Sequence, residues 1–485
     1  MAQSAEQTIK ICCVGAGYVG GPTSSVIALK VPEVDVCIVD KNANRIASWN
    51  SACPPINEPG LIEAVQMARG LGPACQSRRR NLSFSTDIDK EVREADIIFI
   101  SVETPSTTGE ASHPATGLAP DMTSFYAAIK HVAQTAVKDF ILVNKSTLPC
   151  EQLRRPCGCY GVCFALACTD LLNPDRVLIG SSDANSGREA AQYLAELYAR
   201  WVPKDRIMTM RSHSCELSKL AANALLSQRI SSINALSAVC EELGADIREV
   251  SSACGLDHRI GSSMLNATIG FGGSCFKKDV MHLTWTASQL GLQAVASYFG
   301  NIVTINNYQT ERCIRRIVRH VPQHATVAIL GFAFKPKTGD TRESPAIKVV
   351  RSLALAGYSI RVFDPLVNEA KVMSDVRASL NGLAHIADER VSVGKDIQST
   401  CRGASAIAVL NTWEGLRLFP TEGHGTPTAE WEQIRRLMKR PRYIFDGHNY
   451  LEPEIASLGF HLEGVGRRVR RARNAPQIHS SQARI

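Results

Sequence analysis

Short apolar runs alternate with helix-forming stretches through the first part of the chain. Ile9–Val14 and Val34–Val39 are two such runs, and a glycine-rich turn and a helix-forming stretch lie between them. Short continuous apolar runs are typical of strands buried on both faces, and the order strand, helix, strand is the unit of a right-handed parallel crossover. Ala95–Ser101 and Phe140–Asn144 predict later strands of the same sheet. The pattern therefore predicts a doubly wound α/β domain.

A long segment without glycine or proline follows, from Ser214 to about Leu243. Apolar residues recur in it every three or four positions, which predicts one long amphipathic helix with Ser214 as its candidate N-cap and Gly244 at its end. Two interpretations of the apolar stripe stay open, burial in a dimer or burial in the core of the same chain. The stripe consists of Leu217, Leu220, Ala221, Ala224, Leu225, Ile230, Ile233, Leu236 and Val239.

The last third of the chain repeats the early pattern in outline. Thr326–Gly331 resembles the first strand with its glycine, Ile360–Asp364 resembles the second strand, and Ser405–Leu410 resembles the run that begins at Ile97. We therefore predict an α/β fold with two Rossmann-like doubly wound domains joined by a long central helix and a helical middle domain. The predicted division is 1–212 for the first Rossmann-like domain, 213–322 for a helical dimerisation domain, 323–466 for the second Rossmann-like domain, and 467–485 for a disordered basic tail.

Composition narrows the class of protein. The chain has 485 residues, 45% of them hydrophobic and 21% charged, which is ordinary globular usage. Much of the net charge of +8 lies in five arginines between Arg467 and Arg473, and such a run is usually a solvated tail, so no nucleic-acid partner is predicted. The chain has sixteen cysteines, and its N-terminal residues do not resemble a secretory signal peptide. Together these features favour free thiols in the cytoplasm. No apolar stretch has the length needed to cross a membrane.

The turn after the first strand has the dinucleotide-binding spacing. Gly15 permits the tight turn, Gly17 lets the backbone approach a pyrophosphate, and Gly20 lets the following helix pack closely on the strand. Asp40 ends the second strand, where its carboxylate would accept hydrogen bonds from ribose hydroxyls and repel a 2′-phosphate. The pattern therefore predicts NAD rather than NADP, with a glycine turn that binds no ligand as the alternative.

A second glycine-rich segment carries a candidate nucleophile. Three glycines in the four positions 270–273 would let backbone amides surround an anionic ligand, and Cys275 follows directly. Nearby amides and lysines such as Lys278 would favour its thiolate, and Asp279 would lie one turn further along a helix. A structural role is the alternative for any single cysteine.

Two polar residues share one face of the predicted long helix. Lys219 and Asn223 are four positions apart, so an ammonium and an amide would converge on an oxyanion if this face met the glycine-rich segment. A solvated lysine and a capping asparagine are the alternative.

Taken together, these segments resemble the UDP-glucose 6-dehydrogenases of the UDP-glucose/GDP-mannose dehydrogenase family. The resemblance runs from Ile11 to about Gly447 and is carried by ICCVGAGYVGGPTSSVIA, ELSKLAANALLSQRISSINALSA, GFGGSCFKKD and GFAFKPKTGDTRES. It implies oxidation of the C6 alcohol of UDP-glucose to a carboxylate, with two NAD reduced and a thiohemiacetal and then a thioester on the cysteine. It also implies a homo-oligomer built from dimers, with a hexamer as one form, and no metal.

The resemblance implies roles for individual residues. Cys275 would be the nucleophile, and Lys219, Asn223 and Asp279 would stabilise the oxyanion and organise the hydrolytic water together with Thr147. The implied substrate contacts are Lys219, Asn223, Arg259 from a neighbouring subunit, Gly270, Phe271, Gly272, Phe334, Lys335 and His448. The implied cofactor contacts are Gly15, Ala16, Gly17, Tyr18, Val19, Gly20, Asp40, Arg45, Val102, Glu103, Thr104, Pro105, Ser106, Ser146, Thr147, Lys278 and Arg342.

The sequence departs from the family pattern in several places. Residues 148–172 lack the N-P-E-F-L-x-E-G motif whose glutamates serve thioester hydrolysis, and neither Glu151 nor Asp170 replaces them. The cysteines of this segment do not have the spacing of a zinc site. The remaining departures are Glu103 for asparagine, His448 for arginine, and Met264 and Asn266 for an aromatic residue and a lysine.

Two alternatives to an active UDP-glucose dehydrogenase follow. One is a catalytically deficient homologue that binds NAD and UDP-sugar or assembles with active subunits. The other is a dehydrogenase of UDP-N-acetylmannosamine or GDP-mannose, which the segments GDTRES and DHRIG disfavour.

Overall fold

The computed structural model describes residues 8–52, 54–56, 58–71, 78–106, 117–147, 171–416 and 429–467. Contacts between residues divide the chain into two compact units. One comprises Met1–Ala222 with Met281–Ser297, and the other comprises Asn223–Val280 with Tyr298–Ile485. The four-part division expected from the sequence stays a prediction.

The first unit contains a parallel sheet in the order β3-β2-β1-β4-β5. Its strands are β1 (Lys10–Val14), β2 (Asp35–Val39), β3 (Leu82–Ser85), β4 (Ile97–Ile100) and β5 (Ile141–Asn144). The accompanying helices are α1 (Gly20–Lys30), α2 (Ala43–Asn50), α3 (Leu61–Ala68), α4 (Ile88–Glu94) and α5 (Thr123–Thr135). Every strand lies where an apolar run predicts it, except β3.

A separate two-stranded parallel sheet follows in the same unit. It pairs β6 (Val177–Ser181) with β7 (Ile207–Arg211), and α6 (Asn185–Tyr198) connects the two strands. We did not predict either strand. All residues of β6 are buried, and its short apolar run Val177–Ile179 was an available signal, whereas the residues of β7 are exposed or half-exposed, so β7 lacks the pattern of a buried strand.

The long helix is α7 (Ser212–Leu243), and its residues belong partly to each unit. The expected end is confirmed, since Gly244 adopts a φ of 75°. The expected N-cap is wrong, because the helix begins directly after β7 and Ser214 already lies in its first turn. The next helices are α8 (Ile247–Gly255), α9 (Phe276–Gln289) and α10 (Gln293–His320).

The apolar stripe of α7 divides between two faces. Leu220, Ala224 and Ile233 are buried, whereas Leu217, Leu225, Leu236 and Val239 are exposed. The other buried positions are mostly polar, namely Glu216, Asn223, Ser227, Ser231, Asn234 and Ser237. The helix therefore packs in its own chain partly through polar side chains and leaves an apolar stripe exposed.

The second unit contains the second parallel sheet, in the order β10-β9-β8-β11-β12-β13. Its strands are β8 (Thr326–Leu330), β9 (Ser359–Phe363), β10 (Val391–Val393), β11 (Ala406–Val409), β12 (Tyr443–Asp446) and β13 (His461–Gly464). The helices are α11 (Pro345–Leu355), α12 (Glu369–Ser379), α13 (Ala384–Arg390), α14 (Ile397–Cys401) and α15 (Ala429–Leu437). If the six strands of this sheet are numbered 1 to 6 in chain order, their spatial order is the 3-2-1-4-5-6 of a Rossmann fold, which confirms the predicted α/β class.

None of the helices in the described ranges is both long and apolar enough to cross a bilayer.

Candidate active site

The glycine turn after β1 has the geometry that a dinucleotide requires. Gly15 has a φ of 111°, and a Cβ there would lie 2.2 Å from the carbonyl oxygen of Ser101. A Cβ at Gly20 would lie 2.0 Å from the carbonyl oxygen of Gly15. At Gly17, no atom of the described residues lies within 4 Å of the Cβ position. Gly15 and Gly20 are therefore required by close packing, and Gly17 leaves the backbone open to a ligand.

Asp40 holds this turn against the end of β2. Its Oδ2 accepts hydrogen bonds from the Ala16 backbone N and from Arg45 Nη1, both at 3.0 Å, and its Oδ1 accepts one from the Asn42 backbone N at 2.9 Å. The residue is 8% exposed. The predicted Asp40 and Arg45 therefore lie together beside the turn, and Arg45 offsets part of the carboxylate charge.

The segments after β4 and β5 are tied to each other at the same edge of the sheet. The Val102 backbone N donates to Ser146 Oγ at 3.0 Å, and Ser146 Oγ donates to the Val102 carbonyl at 2.8 Å. Thr104 Oγ1 donates to the Thr147 carbonyl at 2.8 Å. The structure therefore brings together the cofactor residues expected here, among which Glu103 and Pro105 are exposed.

The carboxyl ends of parallel strands form the usual ligand-binding edge of such a sheet, and the open backbone at Gly17 lies after β1 at this edge. Tyr18, in the same turn, is 41% exposed. The residues of the first unit therefore fit a dinucleotide.

Two of the candidate catalytic residues meet in the first unit. Lys219, on α7, donates a hydrogen bond from Nζ to Thr147 Oγ1. Thr147 is buried, and it follows β5 directly. An ammonium and a hydroxyl are thus paired beside the predicted cofactor segment.

Three more candidate catalytic residues lie together in the second unit. Cys275 is half-buried and immediately precedes α9. The Asp279 backbone N donates to the Cys275 carbonyl at 2.9 Å, which confirms that Asp279 lies one helical turn after the cysteine. Asn223 Nδ2 donates to Asp279 Oδ2 at 2.6 Å, and both side chains are buried.

The glycine-rich loop before Cys275 lies against Phe334 and the segment that precedes α11. A Cβ at Gly272 would lie 2.6 Å from the Glu343 carbonyl oxygen and 2.9 Å from Phe334 Cβ. A Cβ at Gly273 would lie 2.7 Å from the Phe334 ring. Only glycine permits this approach, and it brings predicted substrate residues together. Lys335 Nζ lies 5.6 Å from the centre of the Phe334 ring.

His448 occupies the turn after β12. Its Nε2 lies 3.0 Å from the Leu410 carbonyl, so this nitrogen carries the ring proton and donates it. Burial lowers the pKa of His448, and burial raises the pKa of the neighbouring Asp446. The side chain is therefore a neutral imidazole at neutral pH. A Cβ at Gly447 would lie 2.5 Å from Ile269 Cγ2, so this turn packs on the segment that leads into the glycine-rich loop.

The structure does not bring every expected residue to these clusters. Arg259 is exposed and pairs with Asp257 at 2.6 Å. Arg342 pairs with Asp340 at 2.6 Å, although its backbone carbonyl accepts a hydrogen bond from Gly273 N at 2.9 Å. The residues 148–170, with the missing glutamate motif and the clustered cysteines, lie outside the described residues. Across the described part of the chain, no group of three or more His, Cys, Asp or Glu side chains could hold a metal ion.

Sequence reasoning missed two residues beside these clusters. Glu216 is 3% exposed and lies one turn before Lys219 on α7, and Asn306 on α10 binds the backbone of Phe271. The sequence contained a signal for Glu216, because this residue lies four positions before Leu220 and therefore on the same face of the predicted helix. No signal within one segment identifies Asn306, because its partner lies 35 residues away.

Three family models match the chain in order. They are the NAD binding domain of the UDP-glucose/GDP-mannose dehydrogenase family at residues 9–156, its central domain at residues 213–308 and its UDP binding domain at residues 328–453.

Curated relatives match over almost their whole length. The chain is 41% identical to UDP-glucose 6-dehydrogenase 1 of Oryza sativa subsp. japonica and 42% identical to UDP-glucose 6-dehydrogenase 4 of Arabidopsis thaliana. Each match covers 95% of this chain and 97% of the relative. A UDP-glucose dehydrogenase from the archaeon Pyrobaculum islandicum has a similar fold, with a TM-score of 0.75 at 24% identity over 96% of this chain and 100% of that one. The chain therefore belongs to the UDP-glucose/GDP-mannose dehydrogenase family and is an NAD-dependent oxidoreductase.

Proposed function

We propose that the chain oxidises the C6 alcohol of UDP-glucose to the carboxylate of UDP-glucuronate by way of covalent intermediates on Cys275. The observation that carries the proposal is the cluster around this thiol, in which Asp279 follows one turn later and binds Asn223. Relatives at 41% and 42% identity that carry the name UDP-glucose 6-dehydrogenase support the choice of sugar.

NAD, when bound, accepts one hydride in each of the two oxidations. Gly15–Gly20 would hold its pyrophosphate through backbone N–H groups, and Asp40 would accept hydrogen bonds from ribose hydroxyls. The segment Val102–Ser106 with Ser146 and Thr147 would hold the remaining part of the dinucleotide. Lys278 and Arg342 are proposed as further contacts.

In the first oxidation C6 loses a hydride to NAD, its hydroxyl oxygen loses a proton to solvent, and an aldehyde remains. The thiolate of Cys275 then adds to the aldehyde carbon, which forms a C–S bond and places the negative charge on the former carbonyl oxygen. Lys219 and Asn223 stabilise this oxyanion as hydrogen-bond donors. Loss of a second hydride converts the adduct to a thioester.

Hydrolysis of the thioester completes the reaction. Water adds to the thioester carbon, the C–S bond breaks, and both protons of the water pass to solvent, which leaves the carboxylate product and regenerates the thiolate of Cys275. Asp279 and Thr147 would orient the water as hydrogen-bonding groups. The sum is one sugar oxidised by four electrons and two NADH formed.

The nucleotide sugar would be held by the second unit. Gly270–Gly272 would contact it through the backbone, and Phe334, Lys335 and His448 through side chains. We propose that Arg259 contributes from a neighbouring subunit, because among the described residues of its own chain it is exposed and forms a local ion pair with Asp257. The exposed apolar residues of α7 support a homo-oligomer built from dimers. A free Cys275 thiol suits a reducing compartment, so the proposal includes a cytoplasmic location.

The test is NADH release from the purified 485-residue chain supplied with UDP-glucose and NAD. We expect two NADH for each UDP-glucuronate formed. In Cys275→Ser the product should disappear while NAD binding persists, because a serine hydroxyl has no accessible anion at neutral pH. A serine variant that forms UDP-glucuronate at the parental rate would remove Cys275 from the mechanism.

Two outcomes of this assay would favour other functions. NAD binding without oxidation of any nucleotide sugar would favour the catalytically deficient homologue predicted from residues 148–172. Faster oxidation of UDP-N-acetylmannosamine or GDP-mannose than of UDP-glucose would reassign the substrate. Neither alternative is favoured by a contact among the described residues.

A further inference from the structure

Buried polar side chains on two helices hold the backbone that leads to Cys275. Asn234 Oδ1 accepts from the Thr268 backbone N at 2.8 Å, and Gln309 Nε2 donates to the Thr268 carbonyl at 2.6 Å. Thr310 Oγ1 donates to the Ile269 carbonyl at 2.8 Å. Asn234 lies on α7, and the other two residues lie on α10. Helix side chains thus satisfy the peptide groups that a neighbouring strand would satisfy in a sheet.

Asn306 completes this set with two hydrogen bonds to one residue. Its Oδ1 accepts from the Phe271 backbone N at 2.7 Å, and its Nδ2 donates to the Phe271 carbonyl at 3.0 Å. Both polar atoms of the amide are therefore paired with Phe271. The residue is 9% exposed, so water competes little for these bonds.

The glycine-rich loop needs such support because glycines restrict the backbone so little. Gly270 and Gly273 have φ values of 121° and 82°, and ordering glycine costs more conformational entropy than ordering any other residue. A Cβ at Gly270 would also lie 2.9 Å from Asn306 Oδ1, so glycine at this position lets the amide reach the loop. The loop and the asparagine therefore depend on each other.

We propose that Asn306 is a positioning residue for the reaction, which fixes the loop Gly270–Gly273 so that its backbone receives the nucleotide sugar and Cys275 stands at its end. The inference rests on the proposed function for its effect on catalysis, although the hydrogen bonds to Phe271 can be tested without turnover. In this role Asn306 does not touch the reacting atoms but acts through its hydrogen bonds to the Phe271 backbone.

The chain offers a matched control for Asn306. Asn307 is the same residue type at the next position of α10, and it is exposed. We would compare Asn306→Ala and Asn306→Asp with Asn307→Ala. The aspartate variant keeps the size of the side chain and an acceptor for the Phe271 N–H, but its carboxylate places an oxygen against the Phe271 carbonyl.

The first measurement is amide hydrogen exchange resolved at Phe271. In Asn306→Ala, exchange of the Phe271 N–H should be at least about tenfold faster, as expected for the loss of a buried hydrogen bond, and it should be unchanged in Asn307→Ala. Unchanged exchange in Asn306→Ala would overturn the inference at its first step.

The second measurement is steady-state kinetics with each substrate varied in turn. Both Asn306 variants should lower kcat/KM for UDP-glucose by about tenfold or more, while KM for NAD stays within about twofold of the parent, because the loop lies in the unit that carries no part of the glycine turn. Faster exchange with unchanged kcat/KM for UDP-glucose would overturn the positioning role. A parent protein that does not oxidise UDP-glucose would contradict the proposed function, and the exchange measurement would still decide whether Asn306 orders the loop.

Discussion

Glu216 is a carboxyl that the fold buries near the start of α7. Its side chain is 2% exposed, and neither carboxyl oxygen has a hydrogen-bond partner among the described residues. His213 Nδ1 lies 3.9 Å from Oε2, beyond hydrogen-bonding distance. Burial raises the pKa of Glu216 from its usual 4.5 to about 7. The folded protein therefore retains this proton at pH values where the unfolded chain has lost it.

This pKa determines how Glu216 affects stability at each pH. As pH rises from about 4.5 to about 7, the unfolded chain binds fewer protons than the folded protein, so the contribution of Glu216 to stability falls and stays low above that range. Glu216→Gln cannot ionise. We expect it to stabilise the protein relative to the parent by on the order of 1–3 kcal/mol above pH 7, with the difference shrinking towards pH 4.5.

Chemical denaturation of parent and variant across this pH range measures the difference. Glu189→Gln is the control, because Glu189 is an exposed glutamate on α6 and this variant should have the stability of the parent. A constant difference between Glu216→Gln and the parent at every pH would show that the carboxyl does not titrate as described.

At the same scale, sequence reasoning found those site residues whose role depends on close neighbours. Cys275 and Asp279 stand four positions apart, so a helix after the cysteine was enough to place them one turn from each other. Asn306 and Asn234 could not be found in this way. Asparagine is common on helix surfaces, and only the packing of α10 and α7 against residues 268–271 shows that these two are buried.

At the scale of elements, strands were predictable where both of their faces are buried. All four residues of β4 and of β11 are buried, and both strands appear in the sequence as continuous apolar runs. The long helix was predictable in extent but not in orientation. Its buried face contains Ser227, Ser231 and Ser237, so the usual assumption that apolar residues mark the buried face fails for this helix.

Glu241, near the end of α7, joins this helix to α10 and to the residues after β13. Its Oε1 accepts from Arg316 Nη1 at 3.0 Å and from the Gly466 backbone N at 2.7 Å. Its Oε2 lies 2.7 Å from Arg312 Nη2. Arg316 Nε also donates to Glu463 Oε2 at 3.1 Å, and the Glu463 side chain is 1% exposed. One carboxylate thus links three elements of the second unit.

We expect Glu241→Gln to destabilise the second unit by about 1–3 kcal/mol, because both arginines lose their shared counter-ion while remaining largely buried. The measurement is the free energy of unfolding of the second unit, from a probe such as its tryptophan Trp431. Asp388→Asn is the control, since it breaks the exposed pair with Arg377 and should have a much smaller effect. Equal effects of the two substitutions would mean that the Glu241 network is no stronger than a surface pair.

At the scale of the whole molecule, the exposed stripe of α7 bears on assembly. Leu225, Leu236, Val239 and Leu243 are 60%, 43%, 52% and 78% exposed. Their spacings of eleven, three and four residues keep them on one face of a helix with 3.6 residues per turn. A row of large apolar side chains exposed on one helix face is typical of an interaction surface. We interpret this face as the contact with a second copy of the chain.

Val239→Glu should therefore weaken the proposed homo-oligomer. A charge in the centre of an apolar contact loses its hydration without gaining a partner, and burial of the exposed half of the valine contributes about 1 kcal/mol in each copy. We expect the molar mass from light scattering to fall towards that of one 52.7 kDa chain as the variant is diluted, while the parent keeps a multiple of it. Glu242→Lys is the matched control, because Glu242 is exposed on the same helix about 100° from the stripe at 3.6 residues per turn, and it should leave the mass unchanged. Either of two outcomes would show that this face does not hold the subunits together: a parent that is monomeric at micromolar concentration, or a Val239→Glu variant that keeps the parental mass. In that case Arg259 could not reach the sugar of a neighbouring subunit through this contact.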